Sequence, residues 1–328
     1  MYIYIYLSIL ASIVLITLNT ILNAPTWANY PALLIIVIAT LKTQQTYIKE
    51  KKQHKAMYLV NTTNKTAVLE LETAKKVQQA LLTIDHPENP QINIAKKCIP
   101  ATTLGGDFYT FVNKSIDKLQ ENKQTPGVLQ YGDQQNNIIG IAIGDVAGHG
   151  VSSALVMALS SGLIDRIGQN NIAPATILQR ANTDIQKFIS QSQISHVTAF
   201  YGSINLNNMI FTYSNAGHQP ALIIHKDKSY EQLTTDGIFL GMYQDETYTE
   251  HTKQLQQGDR IFLYTDGIIE ARNKKNDLYG VNRLKKYAID NHKLNINDLL
   301  EGIYTDLNSF CEKKEAKDDQ TAIIIEIT

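Results

Sequence analysis

Four aspartates stand where short β-branched runs begin or end. Asp107 follows two glycines in Leu104-Gly105-Gly106-Asp107-Phe108-Tyr109, and Asp145 closes a run that continues into the glycine-rich turn Val146-Ala147-Gly148-His149-Gly150. Asp266 lies in Tyr264-Thr265-Asp266-Gly267 after one run, and Asp318 in Lys317-Asp318-Asp319-Gln320-Thr321 before another. Singly, each has an ordinary reading, since Asp beside Gly is turn chemistry and Asp ahead of a helix is a cap. Gathered at one edge of a sheet, four carboxylates repel one another unless cations neutralise them, and an all-oxygen set suits Mg²⁺ or Mn²⁺ rather than zinc. Thiol chemistry has little to build on. The two cysteines, Cys98 and Cys311, form no Cys-x-x-Cys and cannot staple a scaffold, so the soluble part reads as cytoplasmic.

The elements that must position these acids are legible as periodicity. Short apolar runs punctuated by Gly and Asp predict strands over residues 92–99, 107–112, 138–143, 198–205, 210–215, 220–225, 260–265 and 321–327. Helical patterns interrupt them at 152–168, 174–191, 280–291 and 296–311. Hairpin-connected strands followed by helical pairs predict an α+β domain with antiparallel sheets over residues 91–328.

Ahead of that domain the composition changes sharply. Residues 1–41 contain no Asp, Glu, Lys or Arg, and their apolar residues fall into blocks at 1–22 and 27–41, broken by Asn23, Pro25, Asn29 and Pro31. As a helix the first block is about 33 Å long, enough for a bilayer core of about 30 Å. The second reaches only about 22 Å and needs local thinning or a few flanking residues. Residues 42–65 then carry six lysines against the single acid Glu50, which makes this flank cytoplasmic by the positive-inside rule. The expectation is a multi-pass hairpin anchored in cell-membrane lipid, with Tyr2, Tyr4, Tyr6, Trp27 and Tyr30 at its interfaces. A cleaved signal peptide would need a basic start, and residues 1–7 have no basic side chain. Residues 42–90 read as a cytoplasmic helical linker. Within 66–82, Ala67, Leu71, Ala74, Gln78 and Leu81 make a stripe that suits either a helix lying on its own domain or a homodimer seam. With 30 Lys plus Arg against 31 Asp plus Glu, the chain lacks the cationic surplus of a nucleic-acid binder.

Five segments in order resemble the SpoIIE-type bacterial serine phosphatases of the PPM (protein phosphatase 2C-like) class: Gly-Gly-Asp-Phe-Tyr at 105–109, Gly-Asp-Val-Ala-Gly-His-Gly at 144–150, Asn-Ala-Gly-His-Gln-Pro at 215–220, Gly258-Asp259 with Leu-Tyr-Thr-Asp-Gly at 263–267, and Asp-Asp-Gln-Thr at 318–321. The resemblance covers residues 68–328. It implies an α/β/β/α sandwich of two antiparallel sheets flanked by helices, holding two ions of Mn²⁺ or Mg²⁺. The implied activity is removal of phosphate from phosphoserine or phosphothreonine on a cytoplasmic regulatory protein, usually a small anti-sigma-factor antagonist. Carried over by position, Asp145 is the carboxylate shared by both ions and Val146 contributes only its backbone carbonyl. Asp107 serves one ion largely through water, and Asp266 and Asp318 serve the other with Asp319 beside them. The implied chemistry is attack on phosphorus by a hydroxide held between the ions, so the catalytic roles of Asp107, Asp145, Asp266 and Asp318 run through metal-bound water. Neither a Cys-x5-Arg motif nor a Walker-type loop is present. Three positions depart from the family or are ambiguous. Ala147 stands where eukaryotic members place a His proposed as general acid, and His149 two residues later reads as a turn residue. Thr110 replaces a second Asp found in many bacterial relatives. His218 marks the family and equally fits a turn residue fixing the sheet edge.

Two rival readings explain less. A sensor histidine kinase with His54 as phospho-acceptor would leave Asp107, Asp266 and Asp318 idle and lacks a second glycine box. A pseudophosphatase acting as a membrane-anchored adaptor has no need of the full aspartate set. Because Leu82 ends the linker stripe only 25 residues before Asp107, the helix is placed to set how well Asp107 reaches its metal, as a shift between two populations.

Overall fold

The computed structural model describes residues 13, 14, 16–18, 20, 22, 30–82, 88–113, 138–170, 172–191, 194–312 and 315–328. Most of the first hairpin block and all of the turn at 23–29 lie outside these residues. The second block, from Tyr30 onward, opens a helix, α1 (Tyr30–Leu82), that runs 53 residues without a break. Pro31 lies in its first turn, where the missing N–H costs nothing, and no Gly or Pro follows before Leu82. Contacts divide the chain into a unit ending at Glu70 and a unit from Leu71 to Thr328. In the first, the helix leaves Tyr47, Ile48, Leu59, Val60 and Leu69 exposed.

The second unit contains β1 (Ile92–Ile99), β2 (Phe108–Asn113), β3 (Ile138–Val146), α2 (Val151–Gly168), α3 (Pro174–Ile189), β4 (Val197–Asn205), β5 (Ile210–Ala216), β6 (Ala221–Ile224), β7 (Tyr230–Leu233), β8 (His251–Gln254), β9 (Arg260–Tyr264), α4 (Asp266–Ile269), α5 (Gly280–Asp290), α6 (Ile296–Phe310) and β10 (Gln320–Ile327). They form two antiparallel sheets, ordered β1-β10-β9-β6-β7 and β2-β3-β4-β5-β8. Strand alternation builds the layers. In β10, Ile323, Ile325 and Ile327 join the core between the sheets, where Ile139, Ile141 and Ile143 of β3 meet them. The alternate residues Ala322 and Ile324 face α5 and α6 through Leu284, Leu299 and Ile303. On the other side, Ala142 and Val146 of β3 lie under Met157 and Ile164 of α2 and Ile177 and Ala181 of α3. The result is the expected α/β/β/α sandwich.

Among the described residues, the helix long and apolar enough to cross a membrane is α2. Here it is a core helix, with Met157, Ser160 and Ile164 buried. Two strands and one helix escape the periodicity. β7 (Tyr-Glu-Gln-Leu) and β8 (His-Thr-Lys-Gln) are polar edge strands without apolar alternation, the composition expected of a guarded sheet edge. Glu231 of β7 and Lys253 of β8 pair with each other, tying the two edges. α4 is a single turn of four residues, too short for a helical pattern.

Candidate metal centre

The strand registers bring the four aspartates to one end of the sandwich. In the sheet that holds β2 and β3, Phe108 pairs with Gly144, so Asp107 and Asp145 come next in register on neighbouring strands. The Val146 N–H donates to the Gly106 carbonyl at 3.3 Å and closes this end. In the sheet that holds β9 and β10, Ala322 pairs with Tyr264, which carries Asp266 just past β9 and Asp318 just ahead of β10. The Thr265 N–H donates to the Thr321 carbonyl at 3.0 Å. Each sheet thus contributes one pair of carboxylates.

Two threonines join the pairs. The hydroxyls of Thr265 and Thr321, both fully buried, donate to Asp107 Oδ2 at 2.8 and 2.6 Å. The Thr321 N–H in turn donates to Thr265 Oγ1 at 3.0 Å. A carboxylate from one sheet is therefore held by hydroxyls of the other. Asp319 does a different job: its Oδ1 accepts from the Ala101 N–H at 2.8 Å, and its Oδ2 from the N–H groups of Gly106 at 2.6 Å and Asp107 at 3.3 Å. It clamps the loop that presents Asp107.

Close approach explains two of the glycines. A Cβ on Gly106 would stand 2.7 Å from the Val146 carbonyl oxygen and 3.0 Å from Asp145 Oδ1, and one on Gly267 only 1.9 Å from the Asp319 carbonyl oxygen. The helix ahead of the domain reaches the same loop. Gln78 of α1, buried, donates through Nε2 to the Gly105 carbonyl at 2.7 Å and accepts the Gly105 N–H at 3.1 Å. Of the predicted stripe, Ala74, Gln78 and Leu81 are covered, whereas Ala67 and Leu71 stay exposed.

The electrostatics are those of a set built for cations. Burial and then the neighbouring Asp145 hold the Asp107 carboxyl well above the usual range. Burial, then Asp266, Asp318 and Asp319, push Asp145 up to about 8. Asp266 and Asp318 are raised by burial and by nearby acids, with Glu270 adding its charge to both. Among the described residues, no three His, Cys, Asp or Glu side chains stand close enough together to hold one metal ion as they are placed. Carboxylates and a backbone carbonyl are hard oxygen donors, so the residues fit a hard divalent cation. Cys98 offers no alternative chemistry, because burial and then Asp107 push its thiol up to about 12.

The family described as Stage II sporulation protein E (SpoIIE) matches residues 135–328. This chain belongs to the SpoIIE family. It is 29% identical over 257 residues to the phosphoserine phosphatase RsbU of Bacillus subtilis (strain 168), covering 78% of this chain and 69% of RsbU. It is 26% identical over 260 residues to the phosphoserine phosphatase RsbP of the same strain, covering 79% of this chain and 58% of RsbP. Among solved structures it matches the SiaA-PP2C domain of Pseudomonas aeruginosa with a TM-score of 0.64 at 19% identity, covering 81% of this chain and 99% of that one. The fold is therefore that of a PP2C-type phosphatase, and the SpoIIE-family chain is a protein serine/threonine phosphatase of a metal-dependent class.

Within this SpoIIE-family framework the departures find their places. Thr110 lies buried on the face of β2 that carries Phe108 and Val112, beneath α2. His149 is exposed in the turn before α2. Thr265, Thr321 and Thr198, which sequence reasoning left without roles, support the acids directly. The signal was present for two of them, as the Thr of Thr-Asp-Gly and of Asp-Asp-Gln-Thr.

Proposed function

We propose that the chain hydrolyses phosphoserine or phosphothreonine on a cytoplasmic regulatory protein, an anti-sigma-factor antagonist, with two divalent cations, Mn²⁺ or Mg²⁺, held by Asp107, Asp145, the Val146 carbonyl, Asp266 and Asp318. The observation that carries this reading is the meeting of one carboxylate pair from each sheet, where burial and then the neighbouring acids push Asp145 up to about 8. The substrate class is supported by RsbU and RsbP, each a phosphoserine phosphatase. Bound there, such cations supply acidity to a water and positive charge to phosphoryl oxygens. The chain's own residues orient. Thr265 and Thr321 fix Asp107, and Thr198 accepts the Asp145 N–H at 3.1 Å. Asp319, with both oxygens committed to backbone N–H groups, holds the loop and is assigned to that task rather than to direct metal contact.

Residues 1–41 are assigned to membrane anchoring, with the lysine-rich 42–65 and the catalytic unit on the cytoplasmic side. Residues 66–82 are assigned to pairing of two copies, through the exposed Ala67 and Leu71 rather than the covered Ala74, Gln78 and Leu81. The test is turnover of p-nitrophenyl phosphate and a phosphoserine peptide by the full chain with Mn²⁺, Mg²⁺ or EDTA. Either ion should support turnover, and both EDTA and Asp145→Asn should abolish it. A folded chain without metal-dependent turnover would instead be the silent adaptor.

A further inference from the structure

His218 follows β5 through Gly217 and is buried, yet the turn it occupies does not need its ring. Asn215 already fixes that turn: its Oδ1 accepts the His218 N–H at 2.7 Å, and its Nδ2 donates to the His218 carbonyl at 2.9 Å. The imidazole is left for another task. Its Nδ1 lies 2.8 Å from Thr198 Oγ1, and that oxygen accepts the Asp145 N–H at 3.1 Å. Thr198 has one hydroxyl proton and two acceptors for it, the ring at 2.8 Å and the Asp145 carbonyl at 3.3 Å. The shorter contact directs the proton to Nδ1, which leaves the ring N–H on Nε2. Burial pulls the ring's pKa down to about 4, so it is neutral at working pH; the Tyr264 backbone is the group that opposes this shift. Nε2 is buried and has no hydrogen-bond partner among the described residues.

We infer that His218 is a positioning residue of the metal centre, the end of a relay from the Asp145 backbone through the Thr198 hydroxyl to the His218 ring, which sets where Asp145 stands in the site. The inference rests on the reading that Asp145 holds the cations. Groups behind metal ligands fix ligand orientation, and losing one typically costs about 10–100-fold in metal affinity.

The test uses the full chain and measures Mn²⁺ binding by calorimetry or electron paramagnetic resonance, independent of turnover. His218→Ala and Thr198→Val should each weaken Mn²⁺ binding about tenfold. The double variant should be no worse than either single one, because both cut the same relay. His218→Asn, which can restore an acceptor at the Nδ1 position, and Thr198→Ser should recover most of the affinity. Nitrogen NMR of the ring should show the neutral form with its proton on Nε2. Wild-type affinity in His218→Ala, or losses that simply add in the double variant, overturns the relay while leaving the site assignment intact. If His218→Ala does not fold, equal affinities of Thr198→Val and Thr198→Ser overturn it instead. Wild-type Mn²⁺ affinity in Asp145→Asn would strike the underlying site reading, which separates the two failures.

Discussion

Raising the pH from 6.5 to 8 should destabilise the metal-free protein, the reverse of the usual behaviour of a carboxylate. Asp145 has its pKa raised from 3.8 to about 8 in the fold, so across this interval the unfolded carboxyl is ionised while the folded one still holds a proton. A raised folded pKa contributes stability that is fully present below the unfolded value and is lost as pH rises through the folded one. Each proton so retained makes stability fall by up to about 1.4 kcal/mol per pH unit. Integrated over this interval, with the slope fading as pH nears 8, Asp145 alone gives a loss of about 1.6 kcal/mol. For a unit of this size that is about 3–5 °C in Tm. Asp107, also raised, adds in the same direction. So does His225, whose pKa rises, against its burial, through the hydrogen bond and charge of Asp259 and Glu231. The decisive comparison is therefore with Asp145→Asn, which should remove the share that Asp145 supplies, about 1.6 kcal/mol of the loss. His218 works oppositely but outside this window: its pKa falls from 6.5 to about 4, so its contribution is lost only as pH drops below 6.5. Saturating Mn²⁺, which binds the ionised ligands, should abolish or invert the trend. Thermal melts of the metal-free and Mn²⁺-loaded chain measure all of this. A metal-free Tm that is flat or rising over this interval, or an unchanged slope in Asp145→Asn, would refute the electrostatic reasoning.

Other perturbations test the scaffold around the acids. Asp319→Ala leaves three backbone N–H groups without their acceptor and should cost about 2–3 kcal/mol in urea unfolding, with metal affinity falling alongside. Gly267→Ala drives a methyl to 1.9 Å from the Asp319 carbonyl oxygen, so Mn²⁺ calorimetry should show binding lost or greatly weakened. Gln78→Ala removes both hydrogen bonds to Gly105, and its Mn²⁺ affinity should drop several-fold with little change in melting; unchanged affinity would disconnect the helix from the loop.

The amino-acid sequence by itself determined most of the strands and the list of acids. Period-two alternation in Ile323, Ile325 and Ile327 against Ala322 and Ile324 is a local property, because a strand places successive side chains on opposite faces whatever its neighbours are. Glycines beside Asp107, Asp145 and Asp266 marked the ends of those strands in the same local way. Tertiary structure alone decided what each acid does. Asp318 and Asp319 are adjacent and chemically identical, yet the loop folding back through Ala101 and Gly106 gives Asp319 three backbone donors, while Asp318 accepts only the N–H of its neighbour Asp319, at 2.9 Å. His218 could be read from its neighbours only as a turn residue; contact with Thr198, twenty residues away, gives its ring another task. The threonines behind Asp107 lie 158 and 214 residues from it in the chain. Local sequence carries propensity and periodicity, but the allocation of hydrogen bonds and charge among distant groups exists only once the two sheets have closed on each other.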